Sequence, residues 1–191
     1  EAFRYTSKGF ELAKSFGDSA NMVKSGRLGG QALRRLDRIQ ESIDILDEVL
    51  PIAKRNNIGD EYKKILNGLA VAHTFQAEYD KALEYNFQSL VLREAEGDKA
   101  EISITLNNIG LVYFKLHNYE GALKYYNQCL TLKEEVRDTL DLHLLYLNLG
   151  LCHLHLRNFK EAREYTLRGL EICGLKCDDL IRISGEFGLG E

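Results

Sequence analysis

The sequence predicts an all-α protein of stacked antiparallel helix pairs. Three observations carry that prediction. Gly110 and Gly150 stand in one frame, and Leu90, Leu130 and Leu170 in another, which fixes a sequence period of 40. Apolar residues recur at i, i+3, i+4 and i+7, as in Leu106, Ile109, Gly110, Tyr113 and then Ala122, Tyr125, Tyr126, Cys129, which is the spacing of one helical face. A single proline occurs in 191 residues, where about ten would be usual, so loop-rich β folds and proline-rich linkers are excluded.

The period shows in aligned columns. Small residues stand at Gly30, Ala70, Gly110, Gly150 and Gly190, and twelve positions later in the frame at Ala2, Ser42, Ala82, Ala122 and Ala162. Phe10, Leu50, Leu90, Leu130 and Leu170 form a bulky column, with Leu12, Ile52, Leu92, Leu132 and Ile172 just beyond it. Aromatic residues align at Tyr5, Tyr85, Tyr125 and Tyr165, with Ile45 between, and again at Tyr79, Tyr119 and Phe159, led by Ile39. The opening EAFRYTSKGFEL returns near the other end as EAREYTLRGLEI, starting at Glu161.

Taken in order, residues 1–17 read as the second helix of a cut pair. Residues 18–57 form a full pair that starts at Asp18, whose carboxylate can cap orphan backbone N–H groups. A polar break at Asp37-Arg38 divides that pair, and Pro51 in its second helix frees the carbonyl of Asp47 and predicts a kink. Gly59-Asp60 falls late in the frame, which predicts a longer loop before the pair over 58–97. That pair breaks at Ala77-Glu78. Residues 98–137 follow Gly97, which suits the end of the preceding helix, open with a capping box of Asp98 and Glu101, and break at His117-Asn118. Residues 138–177 open at Asp138 and break at Arg157-Asn158, and residues 178–191 supply one more first helix from Asp178. The total is about ten helices. Gly30, Gly110 and Gly150 are expected to sit against Ala82, Ala122 and Ala162, where helices cross closely. A lone pair cannot bury both of its faces, so the units must stack.

These columns resemble the tetratricopeptide repeat. The resemblance rests on a bulky residue (Leu66, Leu106, Tyr146), then Ile109-Gly110 and Leu149-Gly150, then Tyr113, then the later alanine. His73 and His153 stand where Tyr113 does, and the family's terminal proline is missing. The unit is longer than the family's usual one. In that it is similar to Pins-type adaptors, kinesin light chains, bacterial peptide-pheromone receptors and bacterial sensor segments. The resemblance implies a right-handed α-solenoid whose first helices line a concave groove. The half-units at the two ends, exposing Phe3, Phe10 and Phe16 on one side and Phe187 and Leu189 on the other, suggest that part of the array is missing or is covered by another chain.

The first helices carry unusual faces. Lys24, Arg27, Gln31, Arg34, Arg35 and Arg38 fall within a roughly 100° arc of an ideal helix. The equivalent positions of the next units hold Lys64, Asn67, Val71 and Phe75, then Ile104, Asn107, Asn108, Leu111, Phe114 and Lys115. The last full unit offers Leu144, Leu147, Leu151, Leu154 and His155 from a helix apolar on all sides, which implies burial or a binding face. The expected ligand is a protein or peptide with acidic or phosphorylated residues at one end and apolar anchors at the other. Asn67, Asn107, Asn108 and Asn148 could pair an extended backbone, since an amide both donates and accepts. The alternative places Asn108 and Asn148 between repeats and leaves the arginine arc to solvent.

Other chemistry finds no support. Cys152, His153, His155 and His143 do not converge as zinc requires, because Cys152 and His153 hold core columns and only His155 points grooveward. The four cysteines, Cys129, Cys152, Cys173 and Cys177, read as free buried thiols of a reducing, cytoplasmic compartment. No P-loop, dinucleotide fingerprint or hydrolase elbow occurs, so neither catalysis nor a cofactor is expected. A net charge of −4 argues against direct nucleic-acid binding, and no apolar run is long enough for a membrane span. The expected role is a non-catalytic protein-binding module of a larger signalling or regulatory protein. The alternative is self-assembly, with the half-units docking head to tail into a homo-oligomer.

Overall fold

The computed structural model describes residues 2–174. The expectations for Cys177, Asp178, Phe187, Leu189, Gly190 and the helix over 178–191, and for the Phe3 side chain, lie outside the described residues.

The described residues are all-α. The helices are α1 (Ala2–Ser15), α2 (Ser19–Arg35), α3 (Ile39–Arg55), α4 (Gly59–Phe75), α5 (Tyr79–Glu96), α6 (Lys99–Lys115), α7 (Tyr119–Val136), α8 (Leu142–His155) and α9 (Phe159–Cys173). They form two compact units, one up to Glu96 and one from Gly97. None is long and apolar enough to cross a membrane.

The turns have a period of their own, half that of the sequence. Gly17, Asp37, Asn57, Ala77, Gly97, His117, Arg137 and Arg157 all take positive φ, one at every half-period. Each ends a helix in the left-handed conformation that lets the next N–H groups turn back onto orphan carbonyls. At Ala77, for example, its own N–H reaches Thr74 O at 3.2 Å and the Glu78 N–H reaches His73 O at 2.9 Å. The polar breaks of the sequence are these turns.

Two loop expectations are corrected. The connection before α4 is not lengthened: α3 ends at Arg55 and α4 begins at Gly59. Asn57 supplies the left-handed residue there, and Gly59 is simply the first residue of α4. The long connection is instead between α7 and α8, over residues 137–141. Asp138 does not cap α8. Its Oδ2 accepts from Lys133 Nζ at 2.6 Å and its Oδ1 from the Leu140 N–H at 2.9 Å, so the helix starts later, at Leu142. Asp18 and Asp98 do cap, accepting from the N–H groups of Asn21 and Glu101. Pro51 lies within α3, which continues past it to Arg55.

The close helix crossings also differ in register. A Cβ on Gly30 would meet Leu46 at 2.8 Å, one on Gly110 would meet Tyr126 at 2.7 Å, and one on Gly150 would meet Thr166 Oγ1 at 2.6 Å. The side chain over each glycine therefore lies one helical turn beyond the column of Ser42, Ala122 and Ala162. That column lies alongside. Ser42 Oγ donates to the Gly30 carbonyl at 2.7 Å, and the Ala162 carbonyl is 3.2 Å from the Cβ that Gly150 lacks.

In the first unit Phe10, Val23, Leu46, Val49, Ile65 and Leu69 form one buried cluster. Phe10 is thus covered by α2 rather than exposed, while Phe16 is 79% exposed. In the second unit Ile109, Val112, Tyr126, Cys129, Leu149 and Cys152 are fully buried.

Candidate functional site

The first helices of each pair (α2, α4, α6, α8) present the predicted residues with a repeating pattern of exposure. In the first unit Lys24, Gln31 and Arg35 on α2 are exposed, and Arg27 and Arg34 are half-buried. On α4, Lys64 is exposed, Asn67 and Val71 are half-buried, and Phe75 is exposed.

The arginines are not equivalent. Arg27 Nε donates to Glu61 on α4, and both side chains are mostly covered. Lys64 Nζ lies 3.9 Å from the other oxygen of Glu61. Arg38 is bound to Glu41 through two hydrogen bonds. Lys24, Arg34 and Arg35 have no carboxylate in ion-pair reach among the described residues. Burial, together with the neighbouring charge of Arg35, holds the Arg34 guanidinium below its ordinary pKa. A half-buried cation without a counter-charge is unfavourable by itself, and an added anion would relieve it.

The second unit presents a different surface. Asn107, Asn108, Leu111 and Phe114 of α6, and Leu147, Asn148, Leu151 and Leu154 of α8, are half-buried. Ile104 and Leu144 are exposed apolar residues at the start of the same face, and Leu140 in the preceding loop is 69% exposed. At its other end His155 lies flat on Tyr119, with Phe114 edge-on to both rings. His117 Nδ1 is 2.9 Å from the Tyr119 hydroxyl. Sequence reading missed Tyr119 and His117 as members of this face; the available signal was that His155 follows Tyr119 by nearly one repeat. Glu61 was missed as well, and it too follows its partner, Arg27, by a little less than one repeat.

His73 and His153 pack on tyrosine rings, and Cys129 and Cys152 are buried. His73, Tyr113 and His153, at equivalent positions, stack on Tyr85, Tyr125 and Tyr165 with centroids 5.5, 5.2 and 5.3 Å apart. His73 Nδ1 also lies 2.6 Å from Glu78. Burial pushes the Cys129 thiol up to about 11 and the Cys152 thiol up to about 12, so neither is a ready nucleophile or metal ligand. Cys173 corrects the expectation of buried thiols throughout, since it is free but exposed. Among the described residues no three His, Cys, Asp or Glu side chains converge on a metal position.

Helix pairs that recur with the sequence period, a left-handed turn residue at every half-period, small-residue crossings and stacked ring pairs at equivalent positions define a repeat protein. Residues 101–174 match the tetratricopeptide repeat family. These residues are tetratricopeptide repeats. No curated protein matches the chain in sequence. Solved tetratricopeptide-like structures match the fold over most of the chain. BtubC (BKLC) from P. vanneervenii is 19% identical with a TM-score of 0.76, over 82% of this chain and 65% of its own. A signal transduction ATPase with numerous domains and a tetratricopeptide repeat sensor, from Pyrococcus horikoshii, is 18% identical with a TM-score of 0.78, over 89% of this chain and 26% of its own. A Rap protein complexed with competence and sporulation factor is 15% identical with a TM-score of 0.72, over 90% of this chain and 51% of its own. The chain thus spans less than two thirds of each of these structures. What it shares with them is the tetratricopeptide fold.

Proposed function

We propose that the protein is a non-catalytic interaction module that binds a peptide or helical segment on the faces of its first helices, as the sensor or scaffold part of a larger signalling or regulatory protein. The observation that carries the reading is the α6–α8 face. There Ile104 and Leu144 are exposed, Leu111, Leu147, Leu151 and Leu154 are half-buried, and Asn107 and Asn148 stand among them. An apolar surface with a few amides suits a peptide, since side chains find apolar contact and the backbone finds donors and acceptors. The first unit supports an acidic ligand segment through Lys24, Arg34 and Arg35. The Rap protein complexed with competence and sporulation factor and the repeat sensor of the archaeal ATPase lend precedent for this kind of role. A reducing, cytoplasmic location accords with the free thiols Cys129, Cys152 and Cys173.

An array of immobilised peptides of varied charge and hydropathy, probed with the chain and with an L111E/L151E variant, tests the reading. Capture of a defined peptide set by the wild-type chain and its loss in the folded variant is the expected result. Equal capture by both, or capture of no peptide, overturns it.

A further inference from the structure

Building on that reading, we infer that Glu61 is a specificity-determining residue: it withholds Arg27 from the ligand and leaves recognition of an acidic peptide in the first unit to Lys24, Arg34 and Arg35, chiefly the adjacent arginines.

The sequence arc of basic residues is divided by geometry. Arg27, two turns into α2, is bonded to Glu61 of α4, and the two side chains are 18% and 16% exposed. Lys64 shares the same carboxylate at 3.9 Å. Two cations thus converge on one internal anion, in the position a ligand carboxylate would take. A partly buried pair of this kind is little screened by salt, so an incoming peptide must compete with an anion that is already in place. Arg34 and Arg35 lie two turns further along α2, and neither has a carboxylate partner among the described residues. Arg38 beyond them is held by Glu41, which closes the site on that side. The position of α4 equivalent to Arg35 is Phe75, 65% exposed. Charge complementarity and this exposed ring therefore select one occupant, a peptide segment with consecutive carboxylates next to an apolar side chain. Guanidinium groups favour carboxylates through paired, charge-assisted hydrogen bonds.

The test uses the full chain and fluorescein-labelled hexaglutamate, with a hexaserine peptide as control, followed by anisotropy at low and at physiological salt. Circular dichroism confirms that each variant is folded. The wild type is expected to bind hexaglutamate in a salt-sensitive manner. R34Q/R35Q should weaken binding by about tenfold or more, the scale of losing close charge pairs at an interface. R27Q/E61Q, which removes the pair together, should change it by less than about threefold, because Arg27 is already neutralised by Glu61. E61Q keeps an amide beside Arg27 and should tighten binding by about threefold or more, a gain that R27Q/E61Q should abolish. An R27Q/E61Q loss as large as that of R34Q/R35Q, or an E61Q variant with unchanged affinity, overturns the inference while leaving peptide binding intact. Absence of hexaglutamate binding by the wild type overturns it together with the acidic half of the proposed ligand, and leaves the apolar face of the second unit standing.

Discussion

Gly26 faces Val49 so closely that a Cβ on Gly26 would lie 2.5 Å from Val49 Cγ1. Val49 is fully buried and stiff at χ1, so it cannot step aside. Two effects oppose each other at the glycines of α2. Alanine is the better helix former by about 0.8–1.0 kcal/mol, whereas forcing a methyl into a filled core costs about 1–3 kcal/mol. G26A, and G30A against Leu46 at 2.8 Å, should therefore lower stability in a denaturant titration. A Cβ on Gly29 would meet the end of Ile45 at 3.3 Å and Thr6 Oγ1 at 3.5 Å, neither a hard clash, so G29A should raise stability by about 0.5 kcal/mol, because propensity wins there. Stabilisation by all three would show that the glycines are a weakness of α2 rather than its means of packing.

Ala77 occupies the left-handed turn at φ 59°. That conformation costs a residue with a Cβ roughly 1–2 kcal/mol, while glycine adopts it freely. A77G should stabilise the chain by about 0.5–1 kcal/mol, the strain relieved less the extra freedom of an unfolded glycine. The equivalent G97A, at φ 73°, should do the reverse. Equilibrium unfolding of both variants measures the pair, and a loss in A77G would contradict the turn assignment.

Lys133 is buried in α7 and reaches Asp138 Oδ2 at 2.6 Å and the Leu140 carbonyl at 2.8 Å. Removing the charge partner of a buried cation leaves that charge uncompensated, so D138N should be among the most destabilising conservative changes in the second unit. The hydrogen bond from Lys133, then that from the Leu140 N–H, holds the Asp138 carboxyl below its ordinary pKa. Its contribution is therefore complete above about pH 4 and is lost as pH falls through the lowered folded value. Melting temperatures between pH 3 and 7 should fall more steeply in acid for the wild type than for D138N. Parallel curves would exclude the linkage.

Much of this fold is written in residue types. Asp37, Asn57 and His117 tolerate the left-handed turn better than most, which is why the polar breaks were visible as boundaries. The crossing register was not visible, because Ala122 and Tyr126 lie on the same face one turn apart, and only packing shows which of them covers Gly110. Asp138 misled because it stands in the frame of the capping aspartates yet serves Lys133. At the candidate site, composition distinguished the basic α2 face from the apolar α8 face. It could not show that Arg27 is paired, since Glu61 belongs to another helix and a long side chain chooses its partner in space.

Hydrogen exchange of the chain, with and without a saturating array-captured peptide, tests the central claim most directly. Binding on the first helices predicts added protection in α6 and α8, around Leu111 and Leu151, with α7 and α9 unchanged. Protection confined to α7 and α9, or none at saturation, would contradict the account.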